Sequence, residues 1–582
     1  MKKIYYFLFA LVASISFFSC EITNISPKDS LTDESFWTKP EDLKLFANNF
    51  YSMLPAPGDL ETQSDNFVTN NYNQSLFNES TVPTTTSGTG WTWDRIRACN
   101  FFLTRYQKVE GTQEEINKYA AEVRFFRSLD YFAKIKRYGD VPYYEKDLQT
   151  DEVDLLYKAR DSRNLVLDKI IEDLEFAVQW LPEPDNAEAG RLHKYAALTQ
   201  LARVCLHEGT WKKYHNALAG TISSEQLLRK SAQTAEAIMN SGLYDIVKGD
   251  NAGCGQAPFE GYSLYYSNQF IQESLLKNAE CILPRIYEVD VVMHGYGRGA
   301  GENGMGFSKD FIESFLCKDG KPIGTSAMYQ GDETLEKEIT NRDPRMYQIV
   351  ACSHKPYFIV NGEQQLYGME NSIVPNRGVT GYANVKFRSP LLIQQEANKS
   401  TYDWFIYRYA EVLLIYAEAK VELGECTQDV LDKTVNKLRD RVEMPHLTTS
   451  PEVDPLVVNY GYTISPLLYE IRRERRIELI ADGFRWDDII RWKAGKLFEN
   501  PKTFLGMRVT TEVVSNFPEG TFYGESGVQT ANYGGNEYIK VYRDKGLDDS
   551  GRKWSDNDKR YLDPLPLEEL TLNKNLSQNP GW

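Results

Sequence analysis

Residues 113–142 have the sequence QEEINKYAAEVRFFRSLDYFAKIKRYGDVP, and this stretch decides the fold class. Ala121, Phe125 and Leu129 recur at helical spacing, so they lie on one stripe of a helix. The closing Gly-Asp-Val-Pro ends the pattern, because glycine and proline terminate helices. The stretch therefore predicts an amphipathic α-helix over residues 113–138.

The same periodicity continues on both sides of this helix. Further helices are predicted at about residues 38–54, 93–109, 162–181, 191–208, 225–240, 403–423, 428–441, 466–481 and 484–494. Paired helices of similar length are typical of a helix-turn-helix solenoid of the tetratricopeptide kind. The strict repeat consensus is absent, so periodicity alone predicts an all-α, repeat-like body.

Two regions interrupt this pattern. Residues 245–402 are rich in Gly, Tyr and Asn, which predicts an irregular insert of loops and scattered strands. Residues 496–582 show little helical periodicity and are predicted to be loop-rich. The helical repeats are accordingly assigned to residues 38–244 and 403–495.

The N-terminus resembles a bacterial lipoprotein signal. Lys2 and Lys3 precede an apolar run over residues 4–18, which is too short to span a bilayer comfortably, and the run ends at Ser19-Cys20. Residues 1–19 are predicted to be a signal peptide, Cys20 an acylated N-terminus, and residues 20–37 a tether. An ordinary secretion signal with an incidental cysteine is the alternative.

The net charge and the cysteine pattern exclude several classes of function. The net charge of −16 argues against nucleic acid, which basic surfaces bind. The negative charge favours a neutral ligand, and a local basic pocket for an acidic ligand is the alternative. The eight cysteines include no CxxC pair, so no zinc or redox motif is indicated. No cofactor is predicted, and a structural calcium ion remains an open alternative.

Several segments together carry a family resemblance. They are Tyr561-Leu-Asp-Pro-Leu-Pro566, Leu572-Asn-Lys-Asn-Leu-Ser-Gln-Asn-Pro-Gly-Trp582, Tyr407-Arg-Tyr-Ala-Glu-Val-Leu-Leu-Ile-Tyr-Ala-Glu-Ala419, Ile471-Arg-Arg-Glu-Arg-Arg-Ile-Glu-Leu479, Gly483-Phe-Arg-Trp-Asp-Asp-Ile-Ile-Arg-Trp492, Ala121-Glu-Val-Arg-Phe-Phe-Arg127, Tyr138-Gly-Asp-Val-Pro142, Asp319-Gly-Lys-Pro322 and Asn341-Arg-Asp-Pro-Arg345. With the lipoprotein-like start, this set resembles the SusD-like (RagB/SusD) family of Bacteroidetes surface glycan-binding lipoproteins.

The resemblance implies a fold and a function. The fold is mostly α, a tetratricopeptide-like helical repeat body of about eight helices with a large irregular insert and a loop-rich C-terminal segment. The function is non-catalytic binding of a glycan and its delivery to a SusC-like TonB-dependent transporter. The location is the outer membrane, lipid-anchored and facing the cell surface. Most signature residues are scaffold, and the Arg and Glu of residues 470–478 are predicted to form buried ion pairs such as Arg475–Glu478. A basic patch for an acidic sugar is the alternative.

A glycan site needs an aromatic platform for the sugar face and polar groups for its hydroxyls. The resemblance implies contacts from the loop before the second helix and from the insert. Trp91 is the first choice, because it directly follows Gly90 and should be exposed in this loop. The other candidates are Trp93, Asp65, Asn66, Tyr72, Tyr262, Tyr265, Tyr266 and Tyr296. For each insert tyrosine, core packing is an equal alternative.

Three other functions are alternatives to glycan binding. Gly299-Ala-Gly301-Glu-Asn-Gly304 matches the GxGxxG pattern of dinucleotide sites, but no series of βαβ units surrounds it. A glycoside hydrolase needs two neighbouring carboxylates. The chain has 82 acidic residues, so the sequence does not exclude such a pair. A tetratricopeptide-type scaffold for protein partners is the remaining alternative. We predict that the protein is not an enzyme.

Overall fold

The computed structural model describes residues 36–582, apart from 218–219, 259–264, 362, 367, 369–372, 374–377 and 524–526. The predicted signal peptide, the predicted lipidation site Cys20 and the candidate ligand residue Tyr262 lie outside the described residues.

Long helices dominate both halves of the chain. The helices before the insert are α1 (Pro40–Asn48), α2 (Asp94–Leu103), α3 (Gln113–Tyr138), α4 (Val153–Leu156), α5 (Arg163–Trp180), α6 (Lys194–Tyr214) and α7 (Ser224–Asn240). Those within it are α8 (Tyr265–Asn268), α9 (Tyr296–Gly299), α10 (Lys309–Ser314), α11 (Leu335–Ile339) and α12 (Pro344–Ile349). Those after it are α13 (Tyr409–Glu422), α14 (Gln428–Lys433), α15 (Val435–Arg441), α16 (Pro466–Glu478), α17 (Arg485–Arg491), α18 (Thr511–Ser515) and α19 (Leu567–Leu572).

The helix predicted over residues 113–138 is confirmed at both ends. It begins after Thr112, whose Oγ1 accepts from the Glu115 amide at 3.2 Å. The Thr112 amide donates to the Glu115 carboxylate at 3.1 Å, which completes a capping box. The helix ends at Gly139, whose positive φ of 73° suits glycine.

Short antiparallel sheets hold the irregular regions. The strands are β1 (Phe67–Thr69), β2 (Cys281–Arg285), β3 (Met305–Phe307), β4 (Phe358–Val360), β5 (Glu363–Gln365), β6 (Trp404–Arg408), β7 (Leu505–Arg508), β8 (Thr530–Tyr533) and β9 (Asn536–Lys540). β1 pairs with β3, β2 with β6, and β4 with β5, while the fourth sheet has three strands in the order β7-β9-β8. The GxGxxG segment precedes β3, and the named strands of the described chain pair antiparallel, so the parallel unit of a dinucleotide site is not formed there.

Several predicted helices differ from the structure. The helix predicted over residues 93–109 ends at Leu103, and two others differ more strongly. Residues 404–408 are strand β6, since the sequence Trp-Phe-Ile-Tyr-Arg is aromatic and β-branched and pairs with β2. The helix predicted over residues 428–441 is broken at Thr434, whose φ of −127° and ψ of −93° are not helical. The Thr434 hydroxyl donates to the Val430 carbonyl at 2.6 Å, a side-chain bond that competes with regular helix geometry.

The helices stack in sequence and the stack continues across the insert. α3 packs on α5, α5 on α6, and α6 on α7. α13 then packs on both α7 and α16, although the insert separates it from α7 along the chain. One cluster of buried apolar side chains runs through these contacts. Among the described residues, no helix is long and apolar enough to cross a membrane.

Gly506→Ala is expected to destabilise the protein. The new Cβ on β7 would lie 2.4 Å from the Thr380 carbonyl oxygen, and this backbone is fixed because the same oxygen accepts from the Met507 amide at 2.7 Å. Overpacking of this kind costs about 1–3 kcal/mol, which denaturant unfolding would measure. Gly58→Ala is the matched control, since its Cβ would meet its nearest atom at 4.0 Å. Equal stability of the two variants would contradict the close approach.

Candidate functional site

The expectation that Trp91 is exposed is wrong. The side chain is only 2% exposed and packs edge-on against Trp93 at 5.6 Å and Tyr138 at 4.9 Å between ring centroids. The flanking glycine does not open the loop, because the Gly90 carbonyl accepts from the Lys134 ammonium of α3 at 3.1 Å. Trp93 is half-buried, and both indoles line a pocket of about 360 Å³ whose rim includes Tyr157.

The structure also shows that Asp65 and Asn66 are buried inside an ion-pair network. The Asp65 carboxylate accepts from the Arg485 guanidinium at 2.7 and 2.8 Å. Arg476 lies 3.2 Å from the same carboxylate and donates to the Asn66 side-chain oxygen at 2.7 Å. Burial alone would raise the pKa of Asp65, but Arg476 and Arg485 lower it to about 2. These groups are therefore occupied in holding the loop to α16 and α17.

The insert tyrosines that the structure describes are mostly part of the core. Tyr266 is buried, and its hydroxyl donates to the Glu478 carbonyl at 2.8 Å. Tyr296 is buried, and its hydroxyl donates to Asp59 at 2.9 Å. Tyr265 is half-buried and packs at the edge of the core. For Tyr266 and Tyr296, the core-packing alternative explains the observed contacts.

Tyr72 is the candidate that the structure places at an open cleft. This cleft, called here the Tyr72 cleft, has a volume of about 900 Å³. One wall carries Asn70, Asn71, Tyr72 and Gln74, and the other carries Phe517, Phe522, Gln529, Tyr542 and Asp544. The cleft lies within the size range of small-ligand pockets.

The Tyr72 ring is held in place from several sides. Its centroid lies 5.1 Å from Phe77 and 6.0 Å from Tyr542, both edge-on. The Lys545 ammonium lies 4.2 Å from the ring centroid and is paired with Glu79. A ring fixed by its neighbours loses little conformational entropy when a ligand packs on it.

The backbone that carries Tyr72 is equally well fixed. β1 pairs with β3, and the Asn70 amide donates to the Gly304 carbonyl at 2.9 Å. A 3₁₀-helix follows over Gln74–Phe77, and Asn73 caps it by accepting from the Ser75 amide at 2.8 Å. The helix ends at Asn78, which adopts the left-handed conformation with a φ of 55°. Local sequence therefore sets the position of this wall.

The opposite wall comes from the C-terminal segment. β8 and β9 form a hairpin through Gly534 and Gly535, whose φ values of 60° and 84° suit a tight two-residue turn. Phe517 and Phe522 pack edge-on, with 4.9 Å between their ring centroids, and both line the same cleft. These residues were not predicted as part of a site, because the segment that carries them lacks helical periodicity. The Gly-Gly turn between two strand-like runs was the signal that could have found the hairpin.

The chemistry of the cleft combines aromatic rings with side-chain amides. Asn70, Asn71 and Gln74 are exposed on one wall, and Gln529 lies on the other. Among the described residues that line the cleft, Asp544 is the one carboxylate. Such a surface can stack on an apolar face and hydrogen-bond hydroxyls around it.

Comparisons with known proteins agree with this fold. The model of the SusD family matches residues 255–582, and a model described as starch-binding associating with outer membrane matches residues 48–206. SusD-like protein P38 of Formosa agariphila is 23% identical over 508 residues, covering 81% of this chain and 88% of that protein. SusD-like protein P2 of the same organism is 22% identical over 611 residues, covering 100% of each chain.

Solved structures show the same architecture. A SusD-like protein from Bacteroides fragilis has a TM-score of 0.67 at 24% identity, with 96% of this chain and 100% of that chain covered. A SusD-like carbohydrate binding protein from the same species has a TM-score of 0.67 at 23% identity, with 94% and 100% covered. These similarities confirm the predicted fold class, a mostly α, tetratricopeptide-like helical body.

Proposed function

The chain belongs to the SusD family, and from this membership we propose that it binds a glycan without cleaving it and delivers it to a SusC-like TonB-dependent transporter. The observation that carries the binding proposal is the Tyr72 cleft, where a fixed aromatic ring lies beside exposed amides. Sugars offer flat apolar faces ringed by hydroxyls, so this pairing suits them. The family model that matches residues 48–206 is described as starch-binding, which supports the same ligand class.

A non-catalytic role has its own support. A glycoside hydrolase uses two carboxylates about 5–9.5 Å apart across the bond that it breaks. Asp544 is the single carboxylate among the described residues of the cleft wall, so the described part of the cleft offers no such pair. A scaffold for protein partners is favoured less, because the core of a protein interface is depleted in charged residues. The exposed side chains that line the cleft are instead polar or charged: Asn70, Asn71, Gln74, Thr521, Arg543 and Asp544.

The proposed location follows from the N-terminal sequence. The basic start, the apolar run over residues 4–18 and Cys20 support acylation of that cysteine. Several acyl chains would anchor the protein stably at the outer membrane, where we place it facing the cell surface. The description of the model matched over residues 48–206, associating with outer membrane, agrees with this position.

Tyr72→Ala is expected to weaken glycan binding about tenfold or more, because truncating a central aromatic anchor removes much of the contact energy. The measurement is retention of the full chain in affinity gels that contain a panel of neutral polysaccharides. An assay for released reducing sugar runs beside it and should stay at background. Tyr72→Phe, which keeps the ring, should retain most of the affinity.

Tyr157→Ala is the matched control, since Tyr157 is an exposed tyrosine 43% accessible to solvent in the separate pocket beside Trp91. Thermal melting of each variant separates lost binding from lost folding. If Tyr157→Ala abolishes retention in the polysaccharide gels and Tyr72→Ala does not, the glycan site lies in the pocket beside Trp91 and not in the Tyr72 cleft. Release of reducing sugar by the pure protein would overturn the non-catalytic proposal.

A further inference from the structure

A second cleft lies on the other side of the 3₁₀-helix Gln74–Phe77. Its volume is about 730 Å³, and we call it the Ser75 cleft. The residues of its wall that matter here are Gln63, Ser75, Ser80, Thr81, Ser87 and Trp486. Most of these side chains carry a hydroxyl or an amide, as in the Tyr72 cleft, and one is a half-buried indole.

The 3₁₀-helix forms a narrow ridge between the two clefts. Gln74 lines the Tyr72 cleft, and the next residue, Ser75, lines the Ser75 cleft. Adjacent residues of a 3₁₀-helix rise by only about 2 Å, so the two walls meet at the ridge. The linings of the two clefts therefore meet at this single turn of backbone, which a ligand occupying both clefts would cross.

The ridge is anchored from below. Leu76 and Phe77 are buried, and the Leu76 carbonyl accepts from the Arg560 guanidinium at 3.3 Å. The backbone also approaches Gly551 closely, since a Cβ there would lie 2.1 Å from the Phe77 carbonyl oxygen. The relative position of the two clefts is thus set before any ligand binds, which lowers the entropic cost of binding.

The charged groups of the Ser75 cleft already have partners. Arg137 Nε donates to the Asp563 carboxylate at 2.7 Å. Lys136 is paired with Asp487. Arg560 Nε donates to the Asp558 carboxylate at 2.6 Å. Because these charges neutralise one another, the wall offers a ligand mainly neutral hydroxyl and amide groups, which suits an uncharged polyol rather than an anion.

The indole of Trp486 adds an apolar surface to this wall. Its ring lies 5.8 Å from Phe498, which fixes its orientation. The Ser75 and Ser80 hydroxyls lie 2.8 Å apart at the foot of the ridge. The Ser75 cleft thus repeats the combination of a held aromatic ring and clustered neutral polar groups seen beside Tyr72.

We infer that the Ser75 cleft is a second glycan subsite, and that the ligand is an uncharged saccharide chain long enough to cross the ridge. This inference rests on the proposed glycan binding at the Tyr72 cleft and specifies its ligand as a polymer. Two linked subsites on a rigid frame raise the affinity for a chain that fills both, because the second contact is intramolecular.

The experiment uses the neutral polysaccharide that the full chain retains in the affinity gels. Partial acid hydrolysis and sizing yield fragments from disaccharides to long oligosaccharides, and calorimetry gives a Kd for each length. The Kd should fall by about tenfold or more between fragments that fill one cleft and those that span both. Thr81→Trp, which fills the Ser75 cleft from an exposed position, should abolish that gain and leave the Kd of the shortest fragments unchanged.

Thr571→Trp is the matched control, because Thr571 is an exposed threonine on α19 outside both clefts. Tyr72→Ala should weaken binding at every length. If affinity depends on Tyr72 but is independent of fragment length and of Thr81→Trp, the second subsite is refuted and the proposed function stands. If no polysaccharide is retained at all, the proposed function itself fails.

Discussion

Glu478→Gln is expected to destabilise the protein by about 3–5 kcal/mol, the cost of removing one partner from a buried ion-pair network. The Glu478 side chain is 0% exposed at the end of α16. Its carboxylate accepts from Arg408 at 2.8 Å and from Arg441 at 2.5 Å. Arg345 donates to the same carboxylate at 3.0 Å. The amide of Gln carries no charge, so three buried guanidinium groups lose part of their compensation.

The direction of the pKa shift of Glu478 agrees with a stabilising role for its charge. Burial alone would raise it, but Arg441, Arg408 and Arg345 hold the pKa far below the usual range of a glutamate. Guanidinium unfolding followed by circular dichroism at neutral pH measures the loss. Glu225→Gln is the matched control, since Glu225 is 67% exposed and pairs with Arg229 at 2.9 Å. An exposed pair contributes at most about 1 kcal/mol, so equal losses in the two variants would refute the network role.

The same helix shows what sequence reveals about buried charge. The alternation of Arg and Glu over residues 470–478 predicted a scaffold of ion pairs, and the structure confirms that these side chains are buried and paired. The predicted pairing of Arg475 with Glu478 is wrong. Arg475 instead donates to the Asp488 carboxylate at 2.8 Å. Helical spacing identifies neighbours on one helix, whereas packing brings partners from distant segments that no local pattern specifies.

The site was harder to predict than the fold. Helix periodicity is a local signal, and α3 was predicted to the residue. The solvent exposure of a side chain depends on tertiary packing, which the local sequence does not specify. Glycines beside Trp91 suggested an open loop, yet Gly88 and Gly90, with φ values of 73° and 77°, turn the chain so that the indole packs inward. Tertiary packing brings Phe517 and Phe522 into the same cleft as Tyr72. The sequence around Tyr72 therefore does not predict these two residues.

Asp65→Asn is expected to lower both stability and glycan binding. Asp65 precedes β1, the strand that leads to Tyr72, and its carboxylate ties the loop to Arg485 and Arg476. Loss of this buried charge should cost about 3 kcal/mol. Binding should weaken as well, because the wall of the Tyr72 cleft loses its anchor. Tyr72→Ala is the contrasting variant, which should lose binding with a much smaller change in the free energy of unfolding.

The dependence on pH separates this charge effect from a loss of packing. The folded-state pKa of Asp65 is about 2, below the roughly 3.9 of an unfolded aspartate. The group therefore contributes stability that is present above about pH 4 and that disappears as pH falls toward 2. The difference in unfolding free energy between wild type and Asp65→Asn should accordingly shrink over that interval. A difference that stays constant from pH 7 to pH 3 would show that Asp65 acts through packing rather than charge.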